Sequence, residues 1–247
     1  MSMVAPKGRK HLCADSLFRL LHKHFATIAD DGVDEVEMPL DAALMSAFAM
    51  FSLTAPSLLA CDTQRAEGHV KTISGSERAP CDTRRRERLA PVSPESLRPS
   101  FTRVLRQLQR GKALEPLVFL DGHSLVALDG PGSFSSTTIH GDSCRPKAHR
   151  NGSITSSHQR LGAAISHPDF RAVIPLRPEP MVQQDGTEKH AGARHAAQRF
   201  ITTLRQDHPH LKCIVTEDSV RANAPHIETL HDDGCHDMLG VKEGEHA

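Results

Sequence analysis

Hydrophobic positions divide the chain into a front part with helical spacing and a rear part with strand spacing. Ser16 is placed to cap a helix in which Leu17, Leu20, Leu21, Phe25 and Ile28 share one face, closed by Asp30-Asp31-Gly32. Asp41 opens a second helix, apolar on nearly every side through Leu44, Met45, Phe48, Met50 and Phe51, as expected at the centre of a helical bundle. Pro56 suits the first turn of a following helix, where its missing N–H costs nothing. Gln64 to Ser96 has few apolar residues and many polar breakers, so it reads as loop or short helix. A further helix starts near Ser100, with Phe101, Val104, Leu105 and Leu108 facing inward and Gly111 at its end. Residues 1 to 10 are polar and basic and are expected to be disordered.

Beyond Gly111 the period changes to that of strands: VFLDGHSLVALDG, then SITSSHQ, LGAAISH and AVIPL. Asn151-Gly152 and His167-Pro168-Asp169 read as turns. Ala191 to Gln206 reads as a helix with Ala196, Phe200 and Leu204 on one side, ended by His208-Pro209. LKCIVTED is a further strand, Ala224 to Asp232 a short helix, and MLGVK a last strand. Within LVALDGPGSF an apolar run meets Asp129 and then Gly, Pro and Gly, which predicts a buried strand stopped by a sharp turn. In LKCIVTEDS, Asp218 stands at a strand end in the same way. Two readings follow. Each Asp caps a turn, or the two carboxylates sit at neighbouring strand ends and seat a divalent metal together with substrate phosphate.

Composition narrows the picture only in part. Lys plus Arg equals Asp plus Glu at 30 each, but residues 1–112 hold 17 basic and 13 acidic side chains, and residues 113–247 hold 13 and 17. The basic excess gathers between Arg84 and Lys112, nine basic residues against two acidic. It includes Arg84, Arg85 and Arg86, and then Arg103, Arg106 and Arg110, spaced to line the outer face of the helix near Ser100. Such a surface either is an ordinary solvated face or supplies sequence-independent phosphate contacts to DNA. The six cysteines have no C-x-x-C pair, and with no secretory signal they read as reduced thiols in a cytosolic protein. Ala42 to Ala60 carries no charge, but Pro56 and several hydroxyl residues interrupt it, so two buried helices are expected there rather than a membrane span. Among 17 histidines, His140 and His149 flank Cys144, and His208 lies near His210, without the paired spacing of a zinc site.

The stretches ALDGPGSFSSTTIH, HRNGSITSSHQRLGAAISHPDFRAVIPLRPEP, QDHPHLKCIVTEDSVRANAPHIETL and LGVKEGEH together resemble bacterial insertion-sequence transposases of the DDE type. The similarity extends back through MSAFAMFSLTAPSLLACDTQR and PVSPESLRP. The resemblance implies an α/β fold, an RNase H-like mixed sheet flanked by helices over residues 113–247. An α-helical, DNA-contacting region over residues 1–112 would precede it. It implies DNA transposition by metal-dependent phosphodiester cleavage and strand transfer, with Mg²⁺ or Mn²⁺ as cofactor. It also implies DNA as partner (transposon ends and target), a possible homodimer, and a cytoplasmic, nucleoid-associated location without a membrane partner. Asp129 matches the family's first catalytic and metal-binding Asp, with Asp121 as rival in a similar LDG, and Asp218 matches the second. Glu217 is expected to point to the other face of its strand. The family's third residue, a Glu on a later helix, has no counterpart, since Glu243 and Glu245 lie in a polar tail. A truncated set that does not cut DNA, or a non-catalytic DNA-binding remnant, is therefore expected. The chain has no Tyr and no Trp, and Ser133, Ser157 and Asp237 stand where the family usually has rings. Loss of a ring from a core costs about 3–5 kcal/mol, so marginal stability is expected as well.

Overall fold

A computed structural model describes residues 12–30, 38–54, 60, 63, 81–130, 132–138, 144–182, 185, 191–218 and 224–240. The expected helix at Pro56, the Asp31-Gly32 stop, His140 and the tail with Glu243 and Glu245 lie outside the described residues. The chain divides into two compact units, Met1–Ala113 and Leu114–Ala247.

In the first unit the helices are α1 (Ala14–Phe25), α2 (Leu40–Ser52), α3 (Asp82–Leu89) and α4 (Arg98–Arg110). Cys13 rather than Ser16 occupies the N-cap of α1, and α1 stops at Phe25, five residues before Asp30. Leu21 and Phe25 from α1 join Leu40, Leu44 and Met45 of α2 in one apolar cluster, flanked by Leu17, Leu20, Phe48 and Val104. Phe18 meets Phe48 edge-on at 5.8 Å between ring centres. Not every apolar residue on the expected inner faces is buried: Phe51 is 74% exposed and Phe101 37%. Polar groups take part in the core instead. His24 is buried and shares a 2.6 Å hydrogen bond with Ser100 of α4, and Ser100 itself is 5% exposed. Gly111 ends α4 as expected, in an ordinary helical conformation (φ −76°). A methyl group there would come within 2.5 Å of the Leu12 side chain, so close approach explains the glycine.

The second unit is a mixed sheet with helices packed on it. Its strands are β1 (Val118–Leu120), β2 (His123–Asp129), β3 (Gly132–Ser136), β4 (Arg145–Ala148), β5 (Ile154–His167), β6 (Phe170–Pro175), β7 (Glu179–Met181), β8 (Cys213–Glu217) and β9 (His236–Leu239). Helix α5 (Ala191–Asp207) precedes β8, and α6 (Ala224–Asp232) joins β8 to β9. SITSSHQ and LGAAISH, expected as two strands, are one continuous strand, β5. Along one edge β5 pairs antiparallel with β2 and then β3. Along the other it pairs with β6, β7 and β4. The expected sharp turn after Asp129 does not reverse the chain. Asp129 pairs with Gly162 and Gly132 with Gln159, so β3 extends the ladder that β2 begins. On its far side β2 pairs parallel with β8, and β8 with β9. The central order is thus β6-β5-β2-β8-β9, with β5 alone running the opposite way.

Strand alternation explains the packing. Val126, Leu128, Cys213, Val215 and Glu217 are buried on one face. Helices α5 and α6 touch each other, α5 packs on β7 and β5, and α6 packs on β9. Ala196, Ala197, Phe200, Ile201 and Leu204 form the buried side of α5. An ion-pair network fastens that helix. Arg199 Nε donates to Glu179 Oε1 at 3.0 Å, Nη2 donates to Asp185 Oδ2 at 3.0 Å and to the Pro180 carbonyl at 2.8 Å, and Nη1 pairs with Asp185 Oδ1. Arg177 closes on the other oxygen of Glu179. Burial pushes the Asp185 carboxyl up, but the Arg199 guanidinium, the Val182 N–H and the nearby His195 together outweigh it and hold that carboxyl below the usual range. Of the three positions where the family usually has rings, Asp237 accepts from His231 Nε2 at 2.8 Å and Ser157 is half-buried in β5.

Burial, and secondarily the charge of Arg103, hold the His24 imidazole below the usual histidine range. The folded state therefore favours neutral His24. Its contribution is complete above about pH 6.5, the unfolded value, and is lost as pH falls from there through the lower folded value. Thermal melts of the parent at pH 7.5 and 5.5 should show a larger drop in Tm than the same pair for His24→Gln. Equal drops would mean that this imidazole is not the titrating group.

Candidate functional site

The register of β2 against β8 fixes the position of the two aspartates. Ser124 to Ala127 pair with Cys213 to Thr216, and two further steps bring Asp129 level with Asp218. Neighbouring strands lie about 4.8 Å apart, and in-register residues face the same side. The carboxylates therefore leave the sheet as neighbours, at the carboxyl ends of adjacent parallel strands, where ligands of α/β sheets commonly bind. Both are exposed. Asp129 Oδ1 accepts the Gly130 N–H at 2.7 Å, which holds its carboxylate over the strand end.

Asp121 is elsewhere. It has φ +46° and Gly122 has φ +81°, and together they turn the chain between Leu120 and His123. This is the two-residue Asp-Gly hairpin whose positive φ values suit strand twist. At about 3.3 Å per residue, the length of β2 separates that turn from Asp129 by about 20 Å.

Glu217 faces away from the two aspartates, as alternation requires. Its Oε2 bonds His226 Nε2 of α6 at 2.7 Å, with both side chains buried. No group of three or more His, Cys, Asp or Glu side chains among the described residues gathers at metal-binding distance. Of the histidines considered for a metal, His149 bonds Thr155 Oγ1 at 2.8 Å and His208 is buried. Cys144 Sγ instead lies 2.9 Å from His158 Nε2.

The arginines fall into two groups. Arg103, Arg106 and Arg110 are exposed on α4 and, with Leu12 and Leu20, line a cleft of about 520 Å³ within the first unit. Arg84 and Arg86 are exposed on α3, Arg84 within 3.9 Å of Glu87. Arg85 corrects the expectation for its run. It is 2% exposed, its Nε donates to Ser46 Oγ at 3.3 Å, and it lies against Met50 Sδ. A guanidinium so enclosed ties α3 to α2 and has no path to a phosphate. Three consecutive arginines on a helix point in three directions 100° apart, so one of them turns inward.

Sequence reasoning did not anticipate the Arg199 network, the Glu217–His226 pair or the Cys213–Cys235 contact. The sole advance signal was for Glu217, whose direction followed from alternation. The others join residues far apart in the chain.

No helix among the described residues is long and apolar enough to cross a membrane. The fold and site define a mixed α/β protein with two carboxylates side by side at adjacent parallel strand ends. No protein-family model matches the chain. No curated protein matches it significantly. Among solved structures it is similar to a piggyBac transposase in a synaptic complex with hairpin DNA, at 11% identity and a TM-score of 0.42. The similarity covers 94% of this chain and 52% of the other, so the chain spans about half the length of that transposase chain.

Substitution separates the exposed carboxylates from the buried one. Asp129→Asn and Asp218→Asn should each change unfolding free energy by less than about 0.5 kcal/mol, as for surface sites. Glu217→Ala should cost about 2–4 kcal/mol, because it leaves the buried His226 without its bonded partner. Urea denaturation checks this, and equal losses at all three positions would contradict the placement.

Proposed function

We propose that the chain is a DNA-binding protein built on the core of a DDE-type insertion-sequence transposase. Its rear unit would be RNase H-like, and Asp129 and Asp218 would face the phosphodiester. The observation that carries this reading is the parallel register of β2 on β8, whose continuation by two residues brings Asp129, the last residue of β2, level with Asp218, the residue after β8. The fold part is supported by the order β6-β5-β2-β8-β9 with only β5 reversed, the arrangement an RNase H-like sheet requires. The donor set suits Mg²⁺ or Mn²⁺: hard cations of this kind are held by one or two carboxylates plus substrate phosphate. Such an ion, when bound, polarises a phosphoryl oxygen and lowers the pKa of an attacking water. Asp129 and Asp218 would supply the oxygens that hold it, and the Gly130 N–H would keep the first carboxylate directed over the strand end. Arg103, Arg106 and Arg110, with Arg84 and Arg86, would hold DNA through its backbone without reading sequence.

Within this reading one alternative has its own support. Full strand transfer needs two ions about 3.5–4 Å apart, and Glu217, next in sequence to Asp218, is engaged with His226 on the opposite face. The described carboxylates at this edge then suffice for one ion, which favours DNA binding without cleavage.

Two measurements test the proposal. Titration with Mn²⁺ followed by electron paramagnetic resonance should reveal a weak site lost in Asp129→Asn and in Asp218→Asn. Binding unchanged in both variants would remove the carboxylate assignment. Supercoiled plasmid with Mg²⁺ or Mn²⁺ should stay intact, whereas nicking abolished by both substitutions would establish cleavage with another residue completing the site.

DNA binding should show a salt slope that falls by about three units in the Arg103→Ala, Arg106→Ala, Arg110→Ala triple variant, about one per lost phosphate contact. An unchanged slope would move the DNA surface elsewhere.

A further inference from the structure

Cys213 begins β8, and Cys235 is the residue just before β9. The two strands run parallel with Ile214 opposite His236, so the cysteines stand directly side by side. Their sulfurs lie 2.9 Å apart, with Cys213 0% and Cys235 2% exposed. Both are free thiols. Neighbouring strands place Cα atoms about 5 Å apart, inside the usual 4.4–6.8 Å range for a disulfide, so bonding needs no backbone rearrangement.

The surroundings make the two sulfurs unequal. Arg205 is fixed beside them, with Nη1 donating to the Leu211 carbonyl at 2.7 Å and Nη2 to the Pro209 carbonyl at 3.1 Å. Its charge favours the thiolate of both cysteines. The hydrogen bond with Cys235, followed by burial, pushes the Cys213 thiol up, while the hydrogen bond from Cys213 lowers that of Cys235. Cys235 is thus the member whose thiol is shifted toward the thiolate. It is also the more approachable, because it follows the turn at Asp233-Gly234 and leads into an outer strand of the central order, where local opening costs least.

We propose that Cys213 and Cys235 are a peroxide-responsive dithiol that closes to a disulfide. The Cys235 thiolate attacks one oxygen of hydrogen peroxide, the O–O bond breaks, a sulfenic acid forms and hydroxide departs with the thiol's proton as water. Cys213 sulfur then attacks the Cys235 sulfur, the S–S bond forms, and the sulfenic oxygen leaves as a second water with the Cys213 proton. Two thiols are oxidised and one peroxide is reduced to two waters. Peroxide is small enough to enter during brief opening of the strand end, whereas bulky disulfide reagents should react far more slowly. The link would enclose Glu217, Asp218 and all of α6 in one covalent loop. It stands apart from the DNA reading, and either can hold without the other.

The test uses the full chain in its native state. After hydrogen peroxide, catalase quenching, denaturation and alkylation, the Cys213 and Cys235 thiols should both escape alkylation. Trypsin cleaves after Lys212, Arg221 and Lys242, so Cys213 falls in peptide 213–221 and Cys235 in peptide 222–242, each with one cysteine. Mass spectrometry should find these two peptides joined, and dithiothreitol should separate them. In Cys213→Ala, peptide 222–242 should instead carry sulfenic or sulfinic acid without a partner. Full alkylation of both peptides in the peroxide-treated parent would overturn the proposal. So would a link from either to Cys144, or labelling of peptides 213–221 and 222–242 by a bulky disulfide reagent as rapid as that of the exposed Cys13 and Cys81.

Discussion

Strand β5 is the constraint on which the rear unit depends. Fourteen residues long, it pairs along both edges with five other strands. Most strands of globular proteins run about 5–6 residues. Its two halves do different work. The second half, from Leu161 to Ile165, alternates buried Leu161, Ala163 and Ile165 with half-buried Gly162 and Ala164 and belongs to the core. The first half, Thr155 to Gln159, is polar and is held by backbone ladders to β3 and β4, with few buried side chains to support it. Because β5 lies antiparallel to β2 with Asp129 opposite Gly162, its register helps set where β2 ends. A slip of one residue would turn every side chain of that pairing to the other face and move Asp129 with it.

Much of the element list was legible from periodicity, since local pattern encodes local structure. Helix α6 runs Ala224–Asp232 and α5 Ala191–Asp207, matching the reading to within a residue. Gly111 ends α4 as read, whereas VFLDGHSLVALDG, read as one stretch, is split into β1 and β2 by a hairpin at Asp121-Gly122 that the reading did not mark as a turn. What failed did so for identifiable reasons. SITSSHQ and LGAAISH were separated because a polar half and an apolar half look like two elements, although backbone pairing does not distinguish them. Gly130 and Gly132 suggested reversal, but glycine permits a kink in a continuing ladder as readily as a turn. Phe51 and Phe101 fall on helices whose apolar stripe is wider than the surface that covers it.

The candidate site was legible to a different degree. Asp129 and Asp218 stand out as carboxylates ending apolar runs, but their adjacency depends on the parallel pairing of β2 with β8, which periodicity cannot supply. Arg85 could not be told from Arg84 and Arg86, because helical phase relative to α2 decides which of them is buried. The Arg199 network was hidden for a related reason. Glu179, Asp185 and Arg199 read as ordinary surface charges until tertiary contact brings them together. Such networks are sensitive to loss of one member, since the remaining buried charges are then left uncompensated.

The parallel pairing of β2 with β8 also has a kinetic side. The paired residues are roughly ninety positions apart in the chain, with β3 through β7 and α5 all lying between them. Loop closure of that length must be completed before the contact contributes, and folding rates fall as contacts become more distant in sequence. In the first unit, by contrast, α1 and α2 are sequence neighbours in contact. During synthesis the helical unit can be complete while one edge of β2 still waits for β8. Over that interval Leu125, Val126, Ala127 and Leu128 form an unpaired apolar edge, the kind of surface on which newly made chains associate wrongly.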